Sequence, residues 1–455
     1  MFKKDIDMLS GSIFKGLLAI TLPIMIMNVT QSLFNVIDMT VLKTFDTGDG
    51  YTVGAVGTCA TLISLITGLL IGCSSGANVV VARNIGYNDK EGTNRAVGTS
   101  MLFSLVGGVV IAVIGIFGAK LFLSWMNCPE LLLEDAALYF RLYFAGVPIL
   151  MVYNFAASIL RSKGDANRPM IYLIIGGIIK VLFNFLFVGV FRLSVIGVAL
   201  ATIISWMVSC GLGLYALFKN ENEMIRLSTS SLRFYKRELC DMLEIGIPAG
   251  IQQSIYSVAN LVVSATVNSF GPNATTGISI ANNFDDILYK IAMAPALAVM
   301  PYVSQNLGAN NLERVKKSIY SGMLIAISFA GTLGALSAIF SGPLSSIMSD
   351  NPEVIKYSQQ KMMIISSTYF ICGINNILGE TLRGFRRPVI PTVATFLFMC
   401  VFRFFWVYLI FPLCPNLTFL YLVWPVGWIL VIITQLCFLI PTIKGNWQKR
   451  FDFSS

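Results

Sequence analysis

From Phe14 to Leu42 the chain forms one apolar run, broken by a single proline, Pro23, and a single carboxylate, Asp38. At about 1.5 Å per residue, a helix of that length crosses a hydrocarbon core roughly 30 Å thick. Its polar residues follow a helical rhythm. Asn28, Gln31, Asn35 and Asp38 recur every three or four positions, which places them on one stripe. An acid inside a membrane helix is costly and faces a partner or a water-filled cavity. The stripe is therefore read as the lining of a cavity.

Further runs of the same kind fill the chain. Twelve are counted, at about 14–42, 52–80, 96–120, 136–160, 168–191, 195–218, 239–269, 275–303, 316–341, 358–382, 388–411 and 418–441. Only 12% of residues are charged, about half the usual fraction in a soluble chain. Mean hydropathy is +0.75. Unbroken runs of this length argue for an all-α polytopic membrane protein and against a β-barrel, whose strands are short and alternating. The first run is too long for the core of a cleavable signal and follows a polar stretch, so no signal peptide is expected.

What is missing excludes whole classes of chemistry. There is no histidine, which removes histidine triads, HExxH zinc sites and histidine proton relays. No GxxxxGK[ST] loop occurs, so no ATP site of the P-loop type is expected. The nine cysteines stand singly, mostly in apolar runs, as packing residues. The net charge of +9 is a topology signal. Of the 32 lysines and arginines, 23 fall at the termini and on even-numbered loops, and six on the other side, with Lys361 counted among those six. That bias places both termini in the cytoplasm and leaves no nucleic-acid patch.

The two halves resemble each other. Ala82–Asn88 (Ala-Arg-Asn-Ile-Gly-Tyr-Asn) is answered by Ser304–Asn310 (Ser-Gln-Asn-Leu-Gly-Ala-Asn). Leu160-Arg161, with Pro169 following, is answered at the same offset by Leu382-Arg383, with Pro388 following. Pro23, Asn28 and Asn35 are answered at a slightly longer offset by Pro248, Gln253 and Asn260. This is an internal repeat. Six spans per copy is an even number, so the copies share one orientation, the parallel-repeat plan of some transporters. The expected organisation is an amino lobe at 1–218, a cytoplasmic linker at 219–238 and a carboxyl lobe at 239–455. The repeated Asn-x-Gly turns are read as helix ends in which glycine supplies the C-cap and proline restarts the next helix. The Gly68, Gly72, Gly76 ladder is read as a tight packing face.

Together these features resemble the multidrug and toxic-compound extrusion (MATE) family of secondary transporters, over essentially the whole chain. The carriers are the first-span proline with Asp38 after it, Ala82-Arg-Asn-Ile-Gly86, and Leu160-Arg-Ser-Lys-Gly-Asp165 with Pro169. In the second half they are Gly246-Ile-Pro-Ala-Gly-Ile-Gln-Gln253, Ala281-Asn-Asn283 and Ser304-Gln-Asn-Leu-Gly-Ala309. The resemblance implies twelve helices in two V-shaped lobes, export driven by protons or sodium, no cofactor beyond that ion, and a preference for organic cations. It assigns Asp38 to the first-span acid that takes the coupling ion, and Asn154 to a fourth-span asparagine near it. Where many members carry Asn-x-x-x-Asp in the fifth span, this chain reads Lys180-Val-Leu-Phe-Asn184, a cation for an amide and an amide for an acid. Where some members carry a seventh-span glutamate, it has Gln252, Gln253 and Tyr256.

The intramembrane charges then carry the functional reading. Asp38 is the first candidate for coupling. The alternative is a hydrated carboxylate at the helix end, paired with Lys43. If Lys180 meets Asp38, the pair is either a protonation switch or a permanent neutralising pair. A second cluster lies in span eight: Asn282, Asn283, Asp285, Asp286, Tyr289, Lys290 and Met293. Asp286 and Lys290 stand four apart and pair along the helix, which leaves Asp285 without an evident partner. Span seven faces this cluster with Gln253 and Asn260. Span eleven carries Arg403, a repeat equivalent of Lys180. Two intramembrane cations suit an anionic or zwitterionic substrate at least as well as a cationic one. Glu380, one turn before Arg383, is read as a surface pair. Gln31 and Asn35 join the candidate cavity wall.

The expectation is a monomeric, inner-membrane, proton- or sodium-coupled antiporter of amphipathic organic compounds, working by alternating access, with small-molecule substrates and the bilayer as its partners. Its rivals are a flippase or exporter of anionic, lipid-linked substrates, a channel, and a membrane-embedded enzyme. The last would need a nucleophile and base that the sequence does not cluster.

Overall fold

The computed structural model describes residues 6–45, 51–126 and 128–445, and among these every regular element is helical. The first six spans are α1 (Ile13–Phe45), α2 (Tyr51–Gly86), α3 (Lys90–Trp125), α4 (Glu130–Ser162), α5 (Asn167–Asn184) and α6 (Ser194–Phe218). The second six are α7 (Lys236–Asn268), α8 (Pro272–Gly308), α9 (Leu312–Ile339), the pair α11 (Pro352–Ile365) and α12 (Tyr369–Gly384), the pair α13 (Val389–Thr395) and α14 (Phe402–Phe405), and the pair α15 (Leu417–Tyr421) and α16 (Val423–Lys444). A short helix, α10 (Ser341–Ser346), follows α9. Among the described residues, eleven spans are long and apolar enough to cross a bilayer. The twelfth long helix, α7, carries more polar residues and does not meet that measure.

The helix ends repeat where the sequence repeats. Asp89 caps α3 by accepting from the Gly92 amide at 2.8 Å, and Asn311 caps α9 by accepting from the Arg314 amide at 3.1 Å. The turn chemistry differs from the expectation. Gly86 and Gly308 remain helical, and it is Asn88 and Asn310, each at φ 58°, that take the left-handed position. Asparagine does this at less cost than other side-chain-bearing residues, because its short amide bonds locally. After α4 the left-handed residue is Gly164, and after α12 its repeat equivalent is Arg386.

Packing divides the chain into two compact units. One comprises Met1–Asp7 and Ile26–Gly250, the other Met8–Met25 and Ile251–Ser455. These units are not coextensive with the sequence halves, because α1 and α7 each contribute to both, with the change falling beside Pro23 and Pro248.

In the first unit α4 is the hub, packed on α2, α3 and α6. Glycines on its neighbours admit it closely. A Cβ at Gly108 would meet the Pro148 backbone, and one at Gly115 would enter the Phe144 ring. The glycine ladder of α2 does pack tightly: at Gly72 and Gly76 it lies backbone to backbone against Met242–Gly250 of α7. In the second unit α8 is the hub, packed on α9, α11 and α12. A second core of Trp406, Tyr369, Tyr421 and Trp428 fills the space among α11–α16. Leu17, Ile20 and Ile24 of α1 are fully buried. The chain before α1 is tied down as well, since Arg314 donates to the carbonyls of Met8, Ser10 and Gly11.

Candidate functional site

In the first unit, α1 and α5 approach closely enough to bring Asp38 to Lys180. The approach depends on Gly177, where any Cβ would occupy the ring of Phe34. The neighbouring Gly176 gives α5 the same freedom against Ser205 and Ser209 of α6. Three residues beyond Gly177, Lys180 forms an ion pair with Asp38 Oδ2. One turn further, Asn184 Nδ2 donates to Asp38 Oδ1 at 2.6 Å. Asp38 is only 9% exposed and Asn184 is fully buried. Both carboxylate oxygens are thus held by α5, which then passes into a π-helical stretch, Phe185–Val190. Such wide turns recur at functional sites. The Asn184 side-chain oxygen, Oδ1, has no hydrogen-bond partner among the described residues.

Other residues expected here stand apart. Asn154 is half-buried and donates to its own helix at Leu150 O, 3.0 Å away. Gln31 and Asn35 are exposed. The Lys43 side chain lies outside the described residues.

The second unit holds a denser set. Asp285 pairs with Lys361 of α11 at 2.9 Å, and the same ammonium donates to Asn282. Lys361 is 3% exposed, so it belongs inside the helix bundle and not with the outer-side charges among which it was counted. Asp285, expected to lack a partner, has one. Asp286 and Lys290 pair along α8 at 2.6 Å, on a more exposed face. Asn283 is exposed and donates to Ser279 O within its own helix.

Glu380 and Arg383 also overturn the sequence reading. They form an ion pair as expected, but both are buried, at 2% and 4% exposed. Arg383 donates to Gln252 Oε1 at 2.6 Å, and Gln252 Nε2 donates to Thr395 Oγ1 at 2.9 Å, which ties α12, α7 and α13 together. This network borders a small cavity with Gln253, Tyr256, Tyr289, Met293 and Asn375. The space at its centre, about 10 Å³, is that of one water.

Arg403 is the remaining cation, and it is 1% exposed. Nη1 donates to Asn260 Oδ1 at 2.6 Å, and the guanidinium lies 4.9 Å from the centre of the Trp424 ring. Lys361 lies over the same ring at 5.8 Å. Among the described residues no carboxylate pairs with Arg403, and its Nε has no acceptor. Its helix, α14, is flanked by π-helical turns at Phe396–Val401 and Trp406–Ile410.

Sequence reasoning missed Lys361 as the partner of Asp285, Trp424 and the burial of the Glu380–Arg383 pair, and it named Gln252 only as standing where some members carry a glutamate. Lys361 falls in the first residues of the span read at 358–382, yet the charge count assigned it to the outer side; the apolar run Met362-Met363-Ile364-Ile365 directly after it is the signal that it enters the membrane.

The MatE family model matches twice, over residues 23–186 and 248–409, so both copies begin at the repeat-related prolines. The probable multidrug resistance protein YoeA of Bacillus subtilis (strain 168) is 27% identical over 391 residues, 84% of each chain. The FAD transporter of Shewanella oneidensis is 24% identical over 386 residues, 82% of this chain and 85% of the relative. An outward-facing multidrug resistance MATE family transporter of the MOP superfamily shares the fold, with a TM-score of 0.90 at 21% identity over 99% of this chain and all of that one. With two matches spanning well over half its length, this chain belongs to the MatE family, whose members are multi-pass membrane transporters and not enzymes.

Proposed function

We propose that the chain is a proton-coupled antiporter that exports amphipathic organic compounds, with Asp38 as the group that takes the proton. The observation that carries this reading is the buried Asp38–Lys180 pair, closed by Asn184. Protonating Asp38 removes the counter-charge of a lysine whose side chain is 12% exposed. Stranding a buried charge costs about 3–5 kcal/mol. A bias of about 5.5 kcal/mol carries a two-state equilibrium from 1:99 to 99:1. One proton at this pair is thus of the right size to shift the α1–α5 contact and, with it, access to the lobes at 1–218 and 239–455.

A proton suits the site better than sodium. A sodium ion needs several oxygen ligands, and here an ammonium already occupies one carboxylate oxygen, leaving the Asn184 side-chain oxygen as the one orphan acceptor among these residues. The lysine and arginine bias supports cytoplasmic termini and a cell inner-membrane location, and it sharpens once Lys361 is removed from the sparse side. The relatives, a probable multidrug resistance protein and an FAD transporter, support organic substrates of more than one kind.

Flux in proteoliposomes, with proton and sodium gradients imposed separately, tests the proposal. Asp38→Asn is expected to abolish proton-driven flux and Lys180→Ala to uncouple it. Wild-type rates in both variants, or flux that follows sodium alone, would overturn it.

A further inference from the structure

We infer that Arg403, Asn260 and Trp424 form a binding site for the carboxylate or phosphate group of a soluble aromatic anion. The inference rests on the reading of the chain as a carrier and names the substrate class of one lobe. It starts from the charges in the second unit. Lys361, Lys290 and Arg383 each pair with a carboxylate of their own, Asp285, Asp286 and Glu380. Arg403 alone among these four faces a neutral partner, the amide oxygen of Asn260.

A guanidinium that is 1% exposed has lost its water, and one amide oxygen together with an indole face replaces only part of it. Nε is left with no acceptor among the described residues. Arginine presents its donors as a planar fork that matches an oxyanion at two points, so the missing partner has a defined shape: a carboxylate or a phosphate. The first unit shows the completed form of such a site, in which the equivalent cation, Lys180, is closed by Asp38.

The surroundings fit an aromatic body on that anion. Trp424 already bears two cations on its ring, Arg403 and Lys361, and Tyr256 and Tyr289 pack together close by with ring centres 6.4 Å apart. Asn260 is the exposed member of the group and therefore the gate. An anion enters as the amide swings off Nη1, and it takes the place of the Asn260 oxygen on the guanidinium. Nothing covalent occurs; the exchange is one acceptor for another.

The test is equilibrium binding of three matched probes to the full chain in phosphatidylcholine nanodiscs: 2-naphthoate, 2-naphthyl phosphate and 2-naphthylmethylammonium. Both anions are expected to bind at least tenfold more tightly than the ammonium. Arg403→Gln is expected to weaken the anions tenfold or more and to leave the ammonium unchanged. Asn260→Asp keeps the arginine and supplies an internal carboxylate, so it should lose the anions to the same extent while its Tm stays level or rises; it keeps the test decisive if Arg403→Gln fails to fold. Unchanged anion affinity in Asn260→Asp, or a preference for the ammonium, overturns the inference. So does an Arg403-dependent rise in Tm with phosphatidylglycerol in discs that show no naphthoate binding, because the occupant would then be a lipid headgroup. No gradient is imposed, so a failed coupling pair leaves this result standing, and a failed anion site leaves the flux result standing.

Discussion

The two packing units place a cation at repeat-related positions and complete it differently. In the first, Lys180 meets a carboxylate, Asp38, and a second amide closes the pair. In the second, Arg403 meets only the amide of Asn260. The same helix pairing, the first and fifth of each copy, thus yields a neutral site in one unit and a net positive one in the other. By the repeat offset Asn260 answers Asn35, and the position that answers Asp38 is Val263, so the second unit keeps the cation and lacks the acid.

The comparison predicts opposite signs for two deletions. Asp38→Ala strands Lys180 and should lower stability by about 3–5 kcal/mol, as breaking a buried pair does. Asp285→Asn, which strands Lys361 at 3% exposed, belongs in the same range. Arg403→Met removes a buried charge that has no counter-charge among the described residues, and it should be neutral or stabilising. Thermal unfolding of the purified variants in detergent reads all three. If Arg403→Met unfolds as early as Asp38→Ala, the guanidinium has a counter-charge and the contrast between the units is lost.

A smaller effect tests how the first site is assembled. Gly177→Val puts a branched side chain where the Phe34 ring lies and should cost about 1–3 kcal/mol by overpacking. Because it pushes α1 from α5, it should also impair proton-driven flux more than its stability loss explains. Adding Phe34→Ala should recover part of both. A Gly177→Val variant with full flux would mean that the Asp38–Lys180 contact does not depend on that approach.

The sequence made some of this legible and hid the rest for identifiable reasons. The spans stood out because a bilayer leaves no alternative to long apolar helices, and the repeat because turn residues keep their spacing. The second-unit pairs did not stand out. Asp285 and Lys361 lie on helices far apart in the chain, and no local pattern joins them. Glu380 and Arg383 show the three-residue spacing of any surface pair; only the fold buries them. The Asn-x-Gly turns misled because glycine is the usual left-handed residue, whereas here the following asparagines at 88 and 310 take that role. Lys180 was drawn to Asp38 through family resemblance, which marked Asn184 only as an amide at the usual place of an acid; that this amide closes the pair is seen only in the fold.

The smallest expected effect sits beside one of the largest. Asp286 neighbours Asp285 on α8, so the two share helix propensity and backbone setting. They differ in what they meet. Asp285 reaches a buried lysine on another helix, whereas the Asp286 side chain is 53% exposed and reaches Lys290 one turn along its own helix. An exposed pair at that spacing is worth about 0.3–0.5 kcal/mol and is screened by salt. Asp286→Asn should therefore shift Tm barely at low ionic strength and not at all in high salt, while Asp285→Asn keeps its deficit in both. Equal losses in the two variants would show that Asp286 has a buried duty of its own, and the division of the second unit into closed pairs and one open cation would have to be redrawn around it.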